Sequence, residues 1–341
     1  MKLITFAVPC YNSAAYMNKC IDSILVGGDD VEIVIVDDGS TDATAAIAGS
    51  YAKRFPSIVR AVHKENGGHG SGVNRGLSEA TGLYYKVVDS DDWLDEAALK
   101  ELLETIRTHV ALGTAADLYI TNFVYEHADG NNYVSDYIKK MPVRRFFGWE
   151  KLKPLRLWKM LLMHSLVYST EKLRESDTVL PEKTFYVDNL FAYKPLPYMK
   201  KLYYIDVDLY RYFIGRADQS VNVDNMVNRY DQQILVMEKM LEAYTFNDLR
   251  KMCRPLRKLM FHCLEVIMLN TSFFTTAKDS PLRRRRFREM WAKLKRRDIL
   301  LYNKLKYRTL VRLITGLPWR VKGKVTTISY KILCKHVKLG V

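Results

Sequence analysis

The chain has few cysteines, five in 341 residues, and no two of them are spaced as a CxxC pair. An odd, scattered set predicts neither a disulfide framework nor a zinc knuckle, so we expect reduced thiols in a cytosolic protein. Long apolar runs are also absent: no window reaches the roughly 18 uninterrupted apolar residues of a membrane-spanning helix. Pro9 interrupts the apolar stretch 3–8 before it is long enough for a signal-peptide core. We expect the protein to stay where it is made.

Acidic residues are scarce at one end of the chain only. Residues 281–341 contain 19 Lys and Arg against 2 Asp and Glu, whereas residues 1–110 contain 10 against 16. The hydrophobic share of 48% excludes a disordered tail protein. The acidic first part favours metal or polar-ligand chemistry, and the basic end favours an anionic surface, either nucleic acid or lipid headgroups.

The first 90 residues alternate short apolar runs with helical patterns. The predicted strands are residues 3–8, 31–36, 58–62 and 84–88, and the predicted helices between them are residues 14–26, 43–55 and 73–80. Continuous apolar strands are typical of a parallel sheet that is buried on both faces. Repeated βαβ units predict an open, doubly wound α/β sheet.

The pattern changes after residue 95 and again near residue 221. The sequence predicts a helix at 96–108, strands at 118–124 and 203–208, a hairpin near 129–132, and helices at 226–244 and 248–269. We therefore predict two domains, an α/β domain at residues 1–220 and a basic helical domain at residues 221–341.

Two acidic clusters follow predicted strands. The first, residues 37–42, contains Asp37, Asp38 and Asp42. In open α/β sheets the ligand crevice lies outside the carboxyl ends of the strands, so these carboxylates are candidates for binding a base or a ribose. The alternative is that Ser40 and Asp42 only cap the next helix.

The second acidic cluster, Asp89-Ser90-Asp91-Asp92, places three carboxylates in four residues. Such carboxylates repel one another unless a cation or a proton offsets their charge. Oxygen ligands without a nearby His or Cys set favour Mg²⁺ or Mn²⁺ over zinc. The alternative is a solvated acidic turn that begins the next helix.

A glycine-rich segment, residues 65–76, lies between the two clusters. Its glycines allow backbone N–H groups to approach an anionic ligand closely, and the helix that follows offers its positive end to a phosphate. The segment is neither a Walker loop nor a dinucleotide fingerprint. His69 is a candidate contact to a diphosphate, and the alternative is an exposed loop histidine.

Four motifs in this order, residues 8–12, 36–42, 66–76 and 88–93, resemble the family 2 glycosyltransferases of the GT-A fold. The likeness covers about the first 125 residues strongly and extends more weakly to residue 221. It implies a Rossmann-like nucleotide-sugar-binding domain and inverting transfer from a UDP-sugar with Mn²⁺ or Mg²⁺. The residues that it implies for nucleotide-sugar binding are Pro9, Tyr11, Asp38, Asn66, Gly70, Asn74, Arg75, Asp89 and Ser90, and it implies Asp91 as the metal ligand. Many members carry Arg at the position of Val73, and Arg75 lies two residues later.

The resemblance also covers residues 182–191, which are similar to the family's downstream acidic motif, with Val187 in place of its first acid. Asp188 would then be the general base, and the alternative is a helix N-cap. Related enzymes place a mobile loop near residues 210–221, where Arg216 would contact the diphosphate and Gln219 the acceptor, unless both are structural. This chain lacks the Gln-x-x-Arg-Trp motif of processive members, so we expect one sugar per encounter. Trp93 is a candidate acceptor floor or a core tryptophan.

The basic end contains apolar residues at helical spacing. Phe287, Met290, Trp291 and Leu294 lie on one face of a predicted helix, and residues 305–317 form a second such stretch. This pattern favours an anionic membrane surface. The alternative is a helical subdomain whose apolar faces pack on the rest of the protein.

These observations predict a cytoplasmic inverting glycosyltransferase that is peripheral on the inner face of the cell membrane. By resemblance, the acceptor is a lipid-linked oligosaccharide or a cell-surface polysaccharide precursor. The alternatives are a catalytically silent scaffold that binds membrane or nucleic acid, and a sugar nucleotidyltransferase. The latter normally carries a Gly-rich signature after the first strand, where this chain has Pro9-Cys10-Tyr11-Asn12. We expect no nucleic-acid partner, because the tail has no readable nucleic-acid-binding motif.

Overall fold

The computed structural model describes residues 1–156, 159–215 and 223–337, and side chains up to residue 330. The chain forms two compact units: unit 1 comprises Met1–Lys151 and Leu161–Phe213, and unit 2 comprises Leu152–Met160 and Ile214–Val341. The predicted domain division at residue 220 lies outside the described residues. The described residues 152–156, 159 and 160, which the sequence analysis assigns to the first domain, belong to unit 2.

Unit 1 begins with four parallel strands, in the order β3-β2-β1-β4. These strands are β1 (Ile4–Cys10), β2 (Val31–Asp37), β3 (Val59–His63) and β4 (Tyr84–Val87), and the helices between them are α1 (Met17–Leu25), α2 (Thr44–Arg54) and α3 (His69–Glu79). Every residue of β1, β2 and β4 is buried, which explains their uninterrupted apolar pattern.

Helix α3 begins at His69, earlier than the predicted residue 73, because the weak helix propensity of its glycines conceals its first turn in the sequence. The glycines allow it to lie close to β1. A Cβ atom at Gly72 would lie 2.9 Å from Cβ of Pro9, and one at Gly76 would lie 2.5 Å from Cβ of Ala7.

The second part of the sheet is mixed, so the sheet is not doubly wound throughout. The remaining elements of unit 1 are β5 (Trp93–Leu94), α4 (Glu96–Ala111), β6 (Leu118–His127), β7 (Tyr133–Ser135), β8 (Phe146–Phe147), β9 (Leu166–Ser169), α5 (Thr170–Glu175), α6 (Asp188–Tyr193) and β10 (Leu202–Ile214). Strand β9, which the sequence pattern does not predict, pairs antiparallel with both β4 and β6. The α/β class is confirmed, with a sheet that continues as β9-β6-β10-β5 after β4.

Unit 2 is helical in its described part. Its helices are α7 (Val223–Asn228), α8 (Tyr230–Ala243), α9 (Phe246–Lys251), α10 (Arg254–Thr276), α11 (Pro281–Arg297), α12 (Ile299–Tyr307), α13 (Arg312–Thr315) and α14 (Trp319–Val337). The single helix predicted at 248–269 is divided because Pro255, in the first turn of α10, cannot continue a preceding helix. The helix predicted at 305–317 is also divided, between α12 and α13.

The apolar stripe of α11 lies inside unit 2. Phe287, Met290, Trp291 and Leu294 are all buried, and α11 packs against α8, α10 and α12. Helix α10 is long and apolar enough to cross a membrane by length and composition, but two thirds of its most apolar window is buried within the protein. Both helices therefore pack as core helices, as the alternative interpretation of the basic end proposes for α11.

Replacing Met290 with Ala tests this packing. Met290 is 1% exposed, so we expect a cavity that lowers the free energy of unfolding by about 2–5 kcal/mol. Leu313→Ala, at a residue that is 58% exposed, is the control and should change it by less than about 0.5 kcal/mol. Denaturant unfolding measures both, and equal small changes would contradict the burial of the stripe.

Candidate active site

The carboxyl ends of β1 and β2 are tied together by short polar side chains. Asn12 has a left-handed backbone (φ +50°), and its Oδ1 accepts the backbone N–H of Thr41 at 2.8 Å. The Asn12 N–H donates to Oγ of Ser40 at 3.0 Å. Ser13 extends the connection to the end of β4, since its hydroxyl lies 2.8 Å from that of Ser90. These contacts fix the loops at the carboxyl edge of the sheet, where the sheet topology predicts a ligand crevice.

Asp38 holds the glycine-rich segment. Its Oδ1 accepts from Nζ of Lys64 at 2.7 Å and from the N–H of Gly67 at 2.9 Å, and its Oδ2 accepts from the N–H of Gly68 at 2.7 Å. The Asp38 side chain is almost fully buried. A carboxylate has about four acceptor positions, so these contacts leave little capacity for a nucleoside.

A second loop, residues 180–187, packs on the glycine-rich segment. Asn74 uses both ends of its amide on Leu180: Nδ2 donates to the carbonyl oxygen at 2.9 Å, and Oδ1 accepts the N–H at 3.0 Å. Lys183 donates its N–H to the carbonyl oxygen of Gly67 at 2.5 Å. Lys183 and Tyr186 have φ values of +48° and +65°, a strained conformation that non-glycine residues adopt when their surroundings impose it. The loop thereby delivers Asp188, the first residue of α6, to the site.

His69, at the start of α3, connects the acidic turn with Asp188. Its Nε2 lies 2.7 Å from Oδ1 of Asp89. Burial lowers the pKa of His69, but the charges of Asp89, Asp188 and Asp91 outweigh burial and raise the pKa above its ordinary value. Burial likewise favours neutral Asp89, but His69 holds the pKa of this carboxyl below its usual range. The sequence motifs that contain these four residues therefore meet in one electrostatically coupled cluster.

Asp188 itself is poised to exchange a proton. Burial raises its pKa and His69 lowers it, and together with the nearby charge of Asp89 the balance places the pKa at about 6. The side chain is therefore mostly ionised at pH 7 and accepts a proton more readily than an ordinary aspartate.

Tyr210 of β10 fixes the acidic turn from the other side. Its hydroxyl donates to Oδ2 of Asp92 at 2.6 Å and accepts the N–H of Asp89 at 3.1 Å. Oδ1 of Asp92 accepts the N–H of Phe213 at 2.9 Å. Burial and the charges of Asp91 and Asp89 raise the pKa of Asp92 well above its usual range.

Two further buried residues lie beneath the turn. Lys86 is fully buried, and its Nζ donates to the backbone carbonyl oxygen of His164 at 2.6 Å. Burial lowers the pKa of Lys86 to about 7 and that of His164 to about 4. The His164 ring stacks on Tyr212, with the ring centroids 4.7 Å apart. His164 is therefore neutral at pH 7.

The carboxylates fit a divalent cation. Asp89, Asp92 and His164 offer three ligand atoms within 4.8 Å of one another, and the half-buried Asp91 adds a further carboxylate. Burial raises the pKa of Asp92 most, and the charges of Asp91 and Asp89 raise it further; a bound cation would offset this repulsion between carboxylates. Both oxygens of Asp92 already accept hydrogen bonds, which limits its capacity as an oxygen donor for Mg²⁺ or Mn²⁺.

Other predicted site residues have varied surroundings. Pro9 is buried in β1, Tyr11 is 53% exposed at its end, and Asn66 is exposed. Gly70 is buried and faces Pro181: a Cβ atom there would lie 2.8 Å from the Pro181 carbonyl oxygen.

Arg75 and Trp93 contact charged side chains nearby. The exposed Arg75 pairs with Glu79 at 2.6 Å. Trp93 is half-buried, with Nζ of Lys19 2.9 Å from its ring centroid. Arg216 and Gln219 lie outside the described residues.

Sequence reasoning missed Lys64, Lys86, His164 and Tyr210. A lysine inside an otherwise apolar predicted strand, Tyr84 to Val88, was the available signal for Lys86, because a lysine is rarely buried without a partner. Nothing in the sequence places His164 and Tyr210 near the acidic turn, because they reach it through β9, which His164 precedes, and through β10, from more than 70 residues away. Lys64 follows β3 and binds Asp38, a contact between two loops that the sequence pattern does not reveal.

Comparison with known proteins identifies the family. The model of glycosyl transferase family 2 matches residues 5–160. The chain contains a family 2 glycosyltransferase domain. The matched residues contain both acidic clusters and the glycine-rich segment, and the match favours a glycosyltransferase over the nucleotidyltransferase and silent-scaffold alternatives.

Curated relatives of this glycosyltransferase are bacterial. A Bacillus subtilis (strain 168) protein, EpsH, which carries a glycosyltransferase name, is 28% identical over 72% of this chain and 67% of its own length. The minor teichoic acid biosynthesis protein GgaB of the same organism is 31% identical over 30% of this chain and only 12% of its own length. The family 2 domain thus has relatives in polysaccharide and teichoic acid synthesis. The matched region is only a small part of the length of some of these relatives.

Two solved structures share the fold of the family 2 chain. Residues 1–349 of TarS from S. aureus, in complex with UDP-GlcNAc, match with a TM-score of 0.64 and 20% identity, covering 100% of this chain and 92% of that one. The mannosyltransferase PcManGT of Pyrobaculum calidifontis, in complex with GDP-Man and Mn²⁺, matches with a TM-score of 0.56 and 16% identity over 99% and 87% of the two chains. At these identities the likeness establishes the GT-A fold.

Replacing Asn74 with Ala separates a loop-holding role from nucleotide binding. Because both ends of the amide bind the Leu180 backbone, we expect a misplaced Asp188 and a kcat about tenfold to a hundredfold lower. The Kd for UDP should change less than about threefold. Ser78→Ala, at an exposed position later in α3, is the control and should leave both quantities nearly unchanged. Calorimetric UDP binding and transfer kinetics measure them, and an equal loss of binding and turnover would make Asn74 a nucleotide ligand.

Proposed function

We propose that this glycosyltransferase moves a sugar, with inversion, from a UDP-sugar to a hydroxyl of a lipid-linked oligosaccharide or cell-surface polysaccharide precursor. The observation that carries the proposal is the cluster of His69, Asp89, Asp91 and Asp188 at the carboxyl edge of the sheet. The UDP and UDP-GlcNAc complexes of TarS support the donor class, and the relationship to GgaB supports the acceptor class.

The transfer needs a base on the acceptor side. As the acceptor hydroxyl attacks the anomeric carbon, its proton passes to the Asp188 carboxylate, whose pKa of about 6 suits that role near neutral pH. The bond to the diphosphate breaks on the opposite face of the sugar, which inverts the anomeric centre.

The donor's negative charge needs cationic partners. The N-terminus of α3 and the protonated form of His69, which Asp89 favours, are suited to the diphosphate. Asp91 is the proposed ligand of Mn²⁺ or Mg²⁺, which would neutralise the departing diphosphate. Pro9, Tyr11 and Asp38 border the end of the sheet where the nucleoside is proposed to lie.

We further propose a cytoplasmic enzyme that is peripheral on the inner face of the cell membrane. Because the apolar face of α11 is buried in unit 2, the membrane proposal depends on another surface, residues 308–313. There Leu310 and Leu313 are 44% and 58% exposed, and Arg308 and Arg312 are exposed beside them. Exposed leucines between arginines suit an anionic lipid surface.

Asp188→Asn tests the base. We expect UDP-sugar binding to be retained and kcat to fall by about 10²–10⁴ at pH 7.5. In the wild type, kcat should fall as the pH drops below about 6, because the base becomes protonated. Since the folded state disfavours ionised Asp188, the variant should gain stability relative to the wild type as the pH rises from about 4 to about 6; the gain should be constant above about pH 6 and absent below about pH 4. A fully active variant would require another base.

Asp91→Ala tests the metal ligand. Chelation of divalent cations should abolish transfer by the wild type, and added Mn²⁺ should restore it. The variant should need at least about tenfold more Mn²⁺ for half-maximal rate while retaining the wild-type melting temperature, because Asp91 is only half-buried. Titration of kcat against Mn²⁺ measures this, and an unchanged requirement would remove Asp91 as a ligand.

Leu310→Ser combined with Leu313→Ser tests the 308–313 surface. Binding to vesicles that contain phosphatidylglycerol should weaken at least about tenfold, because two inserted leucines are lost. The matched control, Leu112→Ser with Val179→Ser, changes two exposed apolar residues of unit 1 and should leave vesicle binding unchanged. Cosedimentation measures both, and equal binding by the two variants would remove this surface from the membrane proposal.

A further inference from the structure

Unit 2 contains a cavity of about 420 Å³ that the proposed sugar transfer does not use. The segment 152–155 forms one wall and the first turns of α10 form the other. The lining residues are Leu152, Lys153, Pro154, Leu155, Arg254, Pro255, Lys258, Leu259 and His262. The volume is within the range of pockets that hold small organic ligands.

The wall carries positive charge. Lys153, Arg254 and Lys258 are exposed cations, and among the described residues no carboxylate lines the cavity. Three cations around one small opening repel one another, which an anion would offset. Arg and Lys side chains together are typical of phosphate sites.

The backbone adds to this charge. Helix α10 has 23 residues and begins at this cavity, and its N-cap residue, Cys253, makes no side-chain capping bond. The aligned peptide dipoles of such a helix place partial positive charge at its first turn, where anions are stabilised. The charged side chains and the start of α10 are therefore two separate features that both favour an anionic ligand.

The rest of the lining is apolar. Leu152 and Leu259 are buried, and Leu155 and Pro255 are partly buried. The two walls are linked because Nε2 of His262 lies 2.9 Å from the carbonyl oxygen of Lys159. A free inorganic ion would leave the partly exposed Leu155 and Pro255 facing water, whereas an acyl or prenyl chain would cover them.

We propose that this cavity binds a phosphate group attached to an apolar chain, as in a lipid phosphate. The phosphate lies against Arg254, Lys258 and the start of α10, and the first carbons of the chain lie along Leu152, Leu155 and Leu259. This inference goes beyond the proposed sugar transfer and does not depend on it.

Four soluble probes dissect the two parts of the ligand in calorimetric titrations of the full chain. Dihexanoyl phosphatidic acid carries both parts, glycerol phosphate and inorganic phosphate carry only the anion, and dihexanoylglycerol carries only the chain. We expect the first to bind at least about tenfold more tightly than the others. Equal binding of inorganic phosphate would overturn the lipid part of the proposal, and no binding by any probe would overturn all of it.

Arg254→Gln combined with Lys258→Gln should weaken binding of dihexanoyl phosphatidic acid at least about tenfold. Arg288→Gln with Arg296→Gln is the matched control, since it removes the same charge from exposed positions on α11 and should change the Kd less than about twofold. Lys153→Gln, on the opposite wall, should also weaken binding. Melting temperatures establish that all variants are folded. If the double variant at Arg254 and Lys258 and the control variant lost the same affinity for the probe, general positive charge and not this cavity would attract it.

Discussion

Negative charge gathered at one edge of a sheet is the constraint around which unit 1 is built. Asp89, Asp91, Asp92 and Asp188 interact electrostatically, and each must be offset by a proton, a cation or hydrogen-bond donors. The surroundings offset the charge of these carboxylates in different ways. His69 favours the ionised form of Asp89, whereas burial favours the protonated form of Asp92 and raises the pKa of Asp188 to about 6. Neighbouring groups of one chemical type thereby acquire separate roles.

The sequence predicted the parts of this arrangement that are local. Strands β1, β2 and β4 are apolar runs followed by polar motifs, so periodicity and composition located both the sheet and its carboxyl edge. The first residue of α6, Asp188, was reached only through likeness to a family motif. Its loop has left-handed residues that no residue-type preference reveals.

The parts that were missed depend on contacts distant in sequence. Tyr210 reaches Asp92 because β10 pairs with β5, and His164 lies near Asp89 because β9 is inserted beside β4. The spacing of residues along the chain does not predict which distant strands pair. In unit 2 the spacing of Phe287 and Leu294 correctly indicated an amphipathic helix, but the same spacing is expected whether the apolar face meets lipid or other helices. Only the packing distinguished these two cases.

Glycines in α3 set the distance between that helix and the sheet. With hydrogen atoms where other residues have side chains, Gly72 and Gly76 allow the helix to rest directly on Pro9 and Ala7. His69 is the first residue of this helix, so the distance between the helix and the sheet also sets the distance between His69 and Asp89. A single methyl group added at Gly76, two helical turns from His69, would lift the helix from the sheet and lengthen the contact between His69 and Asp89.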